Sequence, residues 1–195
     1  MRTLITGFGP FLGIPDNPSA RLARYFAAHG AAGHNVTARV LPVSFGWTGS
    51  ILPGLLASGR YDAALLLGVD SRGTDRLRLE RFGRNRTRGG SPDVDGFAPG
   101  DAPIVPGAPD ALETSLDVEG LQAMMEAAGL AAYVSEDAGG YVCNHAYFTA
   151  LRAIAEASFT TRCLFLHVPP DTPAFPLAAQ HRAVETALAW MVCAD

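Results

Sequence analysis

Cys163-Leu164-Phe165-Leu166-His167-Val168-Pro169-Pro170 is a continuous apolar run closed by two prolines. A short hydrophobic stretch bounded in this way reads as a strand buried on both faces, the pattern of a parallel sheet covered by helices. Working outward, similar short segments at 3–6, 36–42, 63–68, 76–82 and 131–135 read as strands. Between them, apolar spacing near 3.6 residues predicts helices over 18–29, 47–57, 118–128, 143–157 and 175–192. Strands interleaved with helices imply an α/β fold: a three-layer α/β/α sandwich around a mostly parallel, twisted sheet. No repeat or linker divides the chain, so its 195 residues are expected to form a single domain over 1–195. Residues 84–109, rich in Gly, Pro and Asp, make a connector of roughly 25 residues. A segment that long is expected to be a functional loop or partly disordered.

Composition removes several classes of function. All 15 basic residues are arginine, so a lysine Schiff base, a lysine-bound pyridoxal group and a lysine-dependent phosphate loop are excluded. No apolar run reaches about 18 residues, and no membrane association is expected. The N-terminal residues reach Gly7 and Pro10 too soon for a signal peptide. Three cysteines without paired spacing point to a reducing compartment, the cytoplasm. A formal charge of −4 offers no general attraction to nucleic acid. Seven arginines do crowd residues 72–88, but without interleaved aromatics beyond Phe82 they read as a solvated face partly paired with Asp70, Asp75, Asp93 and Asp95. Gly7-Phe8-Gly9 follows a strand, yet Leu12 occupies the third-glycine position of a dinucleotide fingerprint and Pro10 removes a donor. No serine-nucleophile elbow and no zinc-ligand spacing are present, so no metal and no cofactor are expected.

Three residues carry candidate chemistry. Gly139-Gly140-Tyr141-Val142-Cys143-Asn144-His145 leads into a helix whose inner stripe is Cys143, Tyr147, Ala150, Leu151 and Ile154. Cys143 then sits where free N–H groups and the helix dipole concentrate positive potential. Such a site is expected to lower a thiol pKa from near 8.5 to roughly 3.5–7.5 and make a nucleophile, although a cysteine in apolar surroundings can equally be an inert small hydrophobe. Cys163 and Cys193 read as structural. His167 emerges at the carboxyl end of its strand, where open α/β sheets build sites; it is a base or a hydrogen-bonded core histidine. His29, His34 and His181 read as surface residues. Leu77-Arg78-Leu79-Glu80 alternates as a half-buried strand, and Glu80 is a solvated acid or the carboxylate that orients an imidazole.

Taken together, Thr6-Gly7-Phe8-Gly9-Pro10-Phe11 with Asn17-Pro18-Ser19, the segment from Glu80 to Asn85, Tyr141-Val142-Cys143-Asn144-His145 and His167-Val168-Pro169 resemble the pyroglutamyl peptidase I family. The resemblance runs from Leu4 to about Pro170 with the blocks in order. It implies a cysteine exopeptidase that removes N-terminal pyroglutamate from peptides, with Cys143 as nucleophile, His167 as general base and then acid, and Glu80 as orienting carboxylate. It also implies a homo-oligomer, a tetramer in the family. Phe8, Phe11 and Tyr141 match positions that resemble apolar pocket walls, or are core aromatics. Asn17 is a polar contact, or a cap for the helix opening at Pro18. Some positions depart from the family pattern. Val69 stands where glutamine is usual, and Gly90, with Arg88 nearby, where arginine is usual; Gly9 and Glu136 replace aspartate and asparagine. These departures leave two other readings: a related cysteine amidase acting on a different small lactam or amide, and a non-catalytic ligand-binding descendant.

Overall fold

The structure, a computed structural model, describes residues 1–11 and 13–193. Its elements run β1 (Arg2–Phe8), α1 (Pro18–His29), β2 (Asn35–Leu41), α2 (Phe45–Ser50), α3 (Leu52–Gly59), β3 (Ala63–Val69), β4 (Leu77–Glu80), β5 (Phe82–Arg84), β6 (Ala111–Glu113), α4 (Val118–Ala127), β7 (Ala132–Ser135), α5 (Val142–Glu156), β8 (Arg162–Val168) and α6 (Leu177–Cys193). Six strands form one sheet in the order β2-β1-β3-β8-β4-β7. Four neighbouring pairs are parallel; β4 runs antiparallel to β8.

Period-2 alternation along the inner strands sorts their side chains onto two faces. Ile5, Leu65, Leu67, Leu79, Leu164 and Leu166 pack with Leu22 and Phe26 of α1, Leu121 and Met125 of α4, and Val184 and Leu188 of α6. On the other face, Leu4, Phe8, Ala64, Leu66, Cys163 and Phe165 meet Phe45 of α2, Leu52 and Leu56 of α3, and Tyr147, Ala150 and Leu151 of α5. Helices therefore cover both faces, and the α/β/α sandwich read from the sequence is the architecture.

Two expected elements are divided. The single helix over 47–57 is two, hinged at Ile51, because Pro53 has no N–H to continue the helical ladder. The strand over 76–82 breaks at Arg81, whose N–H donates to Ser135 and whose carbonyl accepts from Thr114. The chain then leaves the main sheet and β5 pairs with β6. β5 lies directly on α5: a Cβ at Gly83 would stand 2.7 Å from the Phe148 backbone. The buried Asn144 amide joins the two, accepting from the Arg84 N–H and donating to the carbonyls of Arg84 and Arg86. The long segment over 84–109 is tied down by the Asn85 side chain, bonded to Val105 and Ala108, and by pairing of Thr87 with Ala102.

α2 joins α5 through His145, whose Nδ1 shares a 2.7 Å hydrogen bond with Thr48 Oγ1 while Phe45 stands edge-on to the ring. Burial lowers the imidazole pKa to about 4. An unfolded chain takes up this proton near pH 6.5, whereas the native state refuses it until about pH 4. Stability linked to His145 is thus complete above pH 6.5 and is lost as pH falls toward 4, by about 2–3 kcal/mol over the interval. Urea titrations of the parent and of His145→Gln, at neutral pH and near pH 4, are expected to give the steeper loss for the parent. Equal losses would remove the assignment.

Candidate active site

The carboxyl ends of β3 and β8, the antiparallel β4 and the start of α5 converge on one cavity of about 580 Å3, walled by Phe11, Val69, Ala138, Tyr141, Cys143 and His167 among others. Register explains how the side chains of β3, β4 and β8 meet here. Gly68 of β3 lies beside His167 of β8, and Arg78 of β4 lies opposite it. Glu80 pairs with Phe165, two residues away on the same pleat. Alternation thus turns Arg78, Glu80, Phe165 and His167 toward α5, while Leu77, Leu79 and Leu166 face the other core. Gly68 supplies the clearance: a Cβ there would meet Cys143 Sγ at 3.1 Å and the Phe165 ring at 2.9 Å.

His167, 3% exposed, has Nδ1 2.7 Å from Glu80 Oε1, and Glu80 is completely buried. The Arg78 guanidinium adds Nη2 at 2.8 Å from the same His167 nitrogen and Nε at 2.7 Å from Glu80 Oε1. Asp70, just beyond β3, sets Oδ2 3.7 Å from Arg78 Nε and is itself bonded by Arg72. The sequence reading placed Asp70 and Arg78 on a solvated face; both are buried instead. β4 is covered on both sides, so no part of it is solvated. A signal was present: residues 78 and 80 share one face of any strand, so a Glu80 aimed at a histidine carries Arg78 with it. The other arginines of the cluster are largely paired on the surface, Arg81 with Glu113, Glu119 and Glu136, and Arg86 with Asp137.

Cys143 is half-buried on the first turn of α5 and lines the cavity. Its thiol pKa is not lowered, as the helix terminus had suggested, but pushed up to about 12. Burial is the main cause, and the carboxylates of Glu80 and Asp70 add to it; together they outweigh the local backbone N–H. Cys163 is buried and also pushed up to about 12, whereas Cys193, expected to be structural, is exposed at the end of α6.

The remaining predicted contacts separate into two groups. Phe11 and Tyr141 stack at the cavity wall with centroids 6.0 Å apart, the Tyr141 hydroxyl donates to Pro92, and Val69 adds an apolar surface. Phe8 is 2% exposed in the core beneath, outside the cavity lining. Asn17 is also off the cavity and caps α1, accepting from Ser19 and donating to the Gly9 carbonyl. Gly90 is not part of the lining, but Arg88 is, with its N–H bonded to Gly140. Among the described residues no cluster of His, Cys, Asp and Glu has the arrangement of a metal site.

A family model described as pyroglutamyl peptidase matches residues 1–185. The pyrrolidone-carboxylate peptidase of Thermococcus onnurineus is 38% identical over 169 residues, covering 87% of this chain and 84% of that protein. The protein of the same description from Streptomyces coelicolor is 38% identical over 196 residues, covering 96% and 90%. Crystal structures of pyrrolidone carboxyl peptidase from the hyperthermophile Pyrococcus furiosus superpose with a TM-score of 0.92 at 29% identity, covering 98% of each chain. Sequence and fold agree over nearly the full length, and the chain belongs to the pyroglutamyl peptidase family.

Proposed function

We propose that this chain, acting as one domain over 1–195, hydrolyses the amide bond after an N-terminal pyroglutamyl residue through a Cys143-His167-Glu80 triad. The observation that carries this reading is a cavity lined by both Cys143 and His167, with Glu80 Oε1 2.7 Å from His167 Nδ1. In the productive tautomer, Nδ1–H donates to Glu80 and the Nε2 lone pair is free to take the thiol proton. A thiol with its pKa near 12 is neutral at rest, so nucleophilic attack requires that base.

As Sγ bonds to the substrate carbonyl carbon, its proton passes to His167 Nε2 and the carbonyl oxygen becomes an oxyanion beside the free N–H groups of α5. One such donor is worth about 3–4 kcal/mol in the transition state. Collapse breaks the C–N bond, and His167 returns the proton to the departing amine. Water then attacks the thioester, giving a proton to His167, and the expelled thiolate recovers it as pyroglutamate leaves. Phe11, Val69 and Tyr141 offer apolar walls suited to a neutral lactam. Arg72, Arg78 and Arg88 beside them favour a second reading, a cysteine amidase acting on a more polar small lactam or amide.

Turnover of pyroglutamyl, alanyl and prolyl coumarin amides separates the two readings. The pyroglutamyl compound is expected to be cleaved, and Cys143→Ala to abolish cleavage while retaining the parent's circular dichroism. Because Cys193 is exposed, labelling is best followed in Cys193→Ser, where iodoacetamide is expected at Cys143 before Cys163. An active alanine variant, or labelling of Cys163 first, overturns the nucleophile.

For the base, His167→Ala is expected to lower kcat by about 10²- to 10⁴-fold. Glu80→Gln is expected to lose less, because a base remains although its orientation is impaired. A His167→Ala enzyme of parental kcat rules out the triad.

Family resemblance and the three cysteines, all free, support a homo-oligomer, a tetramer, working in the reducing cytoplasm. Among the described residues no helix is long and apolar enough to cross a membrane. Sedimentation velocity is expected to give a mass near four chains at micromolar concentration; a monomer throughout that range overturns the assembly.

A further inference from the structure

The triad accounts for one contact of His167 Nδ1, yet the structure brings two groups to that atom. Glu80 Oε1 is 2.7 Å away and Arg78 Nη2 is 2.8 Å away. These partners demand opposite proton positions. A carboxylate accepts, so it needs hydrogen on Nδ1 and leaves Nε2 free as the base. A guanidinium can only donate, so it needs a lone pair on Nδ1 and forces the hydrogen onto Nε2, where His167 cannot take a proton from Cys143. We propose that Arg78 is a positioning residue that competes with Glu80 for His167 Nδ1, and so sets the pH range over which Cys143 is activated.

Several observations support this role. Arg78 is the only buried arginine among the described residues and lines the cavity. Its Nε finds no well-directed hydrogen bond, nor does Glu80 Oε2, so this network is not saturated in the resting arrangement. Nη1 has no hydrogen-bond partner among the described residues, and Asp70 lies 3.7 Å from Nε, ready to hold the guanidinium if it leaves Nδ1. The ionisable groups of the cavity and its wall are Arg78 and Glu80 on β4, Asp70 and Arg72 after β3, Arg88, Asp137 and Tyr141 on the connecting segments, and Cys143 on α5. Among these, Arg78 is the buried cation opposing two buried carboxylates. A buried cation favours the thiolate form of a nearby cysteine, whereas the Asp70 carboxylate helps raise the Cys143 thiol pKa.

This inference rests on the cysteine–histidine reading of the site, but its deciding readout, alkylation of Cys143, does not depend on the substrate. The pH dependence of Cys143 alkylation by iodoacetamide, in a Cys193→Ser background, is compared with that of kcat/KM. Arg78→Met is expected to move both profiles upward by about one pH unit, while Arg78→Lys, which keeps the charge, holds the parent's profile. Asp70→Asn is expected to move them downward. Opposite shifts on removing the cation and the anion are not produced by a merely structural role. A folded Arg78→Met with the parent's pH dependence overturns the proposal, as do shifts of one sign in both variants. Should Arg78→Met fail to fold, Arg78→Gln takes its place: an upward shift supports the competition and an unchanged profile ends it. Absence of pyroglutamyl turnover with the alkylation shifts intact would count against the substrate assignment alone.

Discussion

A carboxylate as fully enclosed as Glu80 persists in a core only with partners, and it has two, His167 and Arg78. Much of the arrangement around the cavity meets that requirement. Both partners reach Glu80 because β4 enters the sheet antiparallel to β8, which sets residue 78 against residue 167 and leaves residue 80 one pleat further in. Since the alternate residues of β4, Leu77 and Leu79, fill the opposite core, the strand cannot slip by one position without burying charge among leucines.

The thiol is delivered from the other layer. α5 packs its inner stripe on β8 and rests its first turns against β5, where Asn144 satisfies backbone groups of Arg84 and Arg86. The short excursion of β5 and β6 away from the main sheet is thus a seat for the helix that carries Cys143. Gly68 completes it by leaving room for the sulfur against the sheet. Placement and acidity are separate matters here. The helix start positions the thiol, but burial and the facing carboxylates keep it protonated. Under the proposed triad the thiol must pass its proton to His167, which gives the identity of the group on Nδ1 chemical weight.

Local sequence determined the layers and marked the candidate residues. Apolar runs and helical spacing are set by neighbours a few positions apart, so the alternation of strands and helices could be read directly, and with it the sandwich. Cys143, His167 and Glu80 were legible because each lies in a short motif at a strand end or helix start. Tertiary structure decided what those residues experience. Strand direction, the break at Arg81, the burial of Asp70 and Arg78, the separation of Phe8 and Asn17 from the cavity and the raised thiol pKa all depend on groups far apart in the chain. Electrostatic fields and solvent exclusion sum over every neighbour in space, whereas a sequence motif records only its neighbours along the chain.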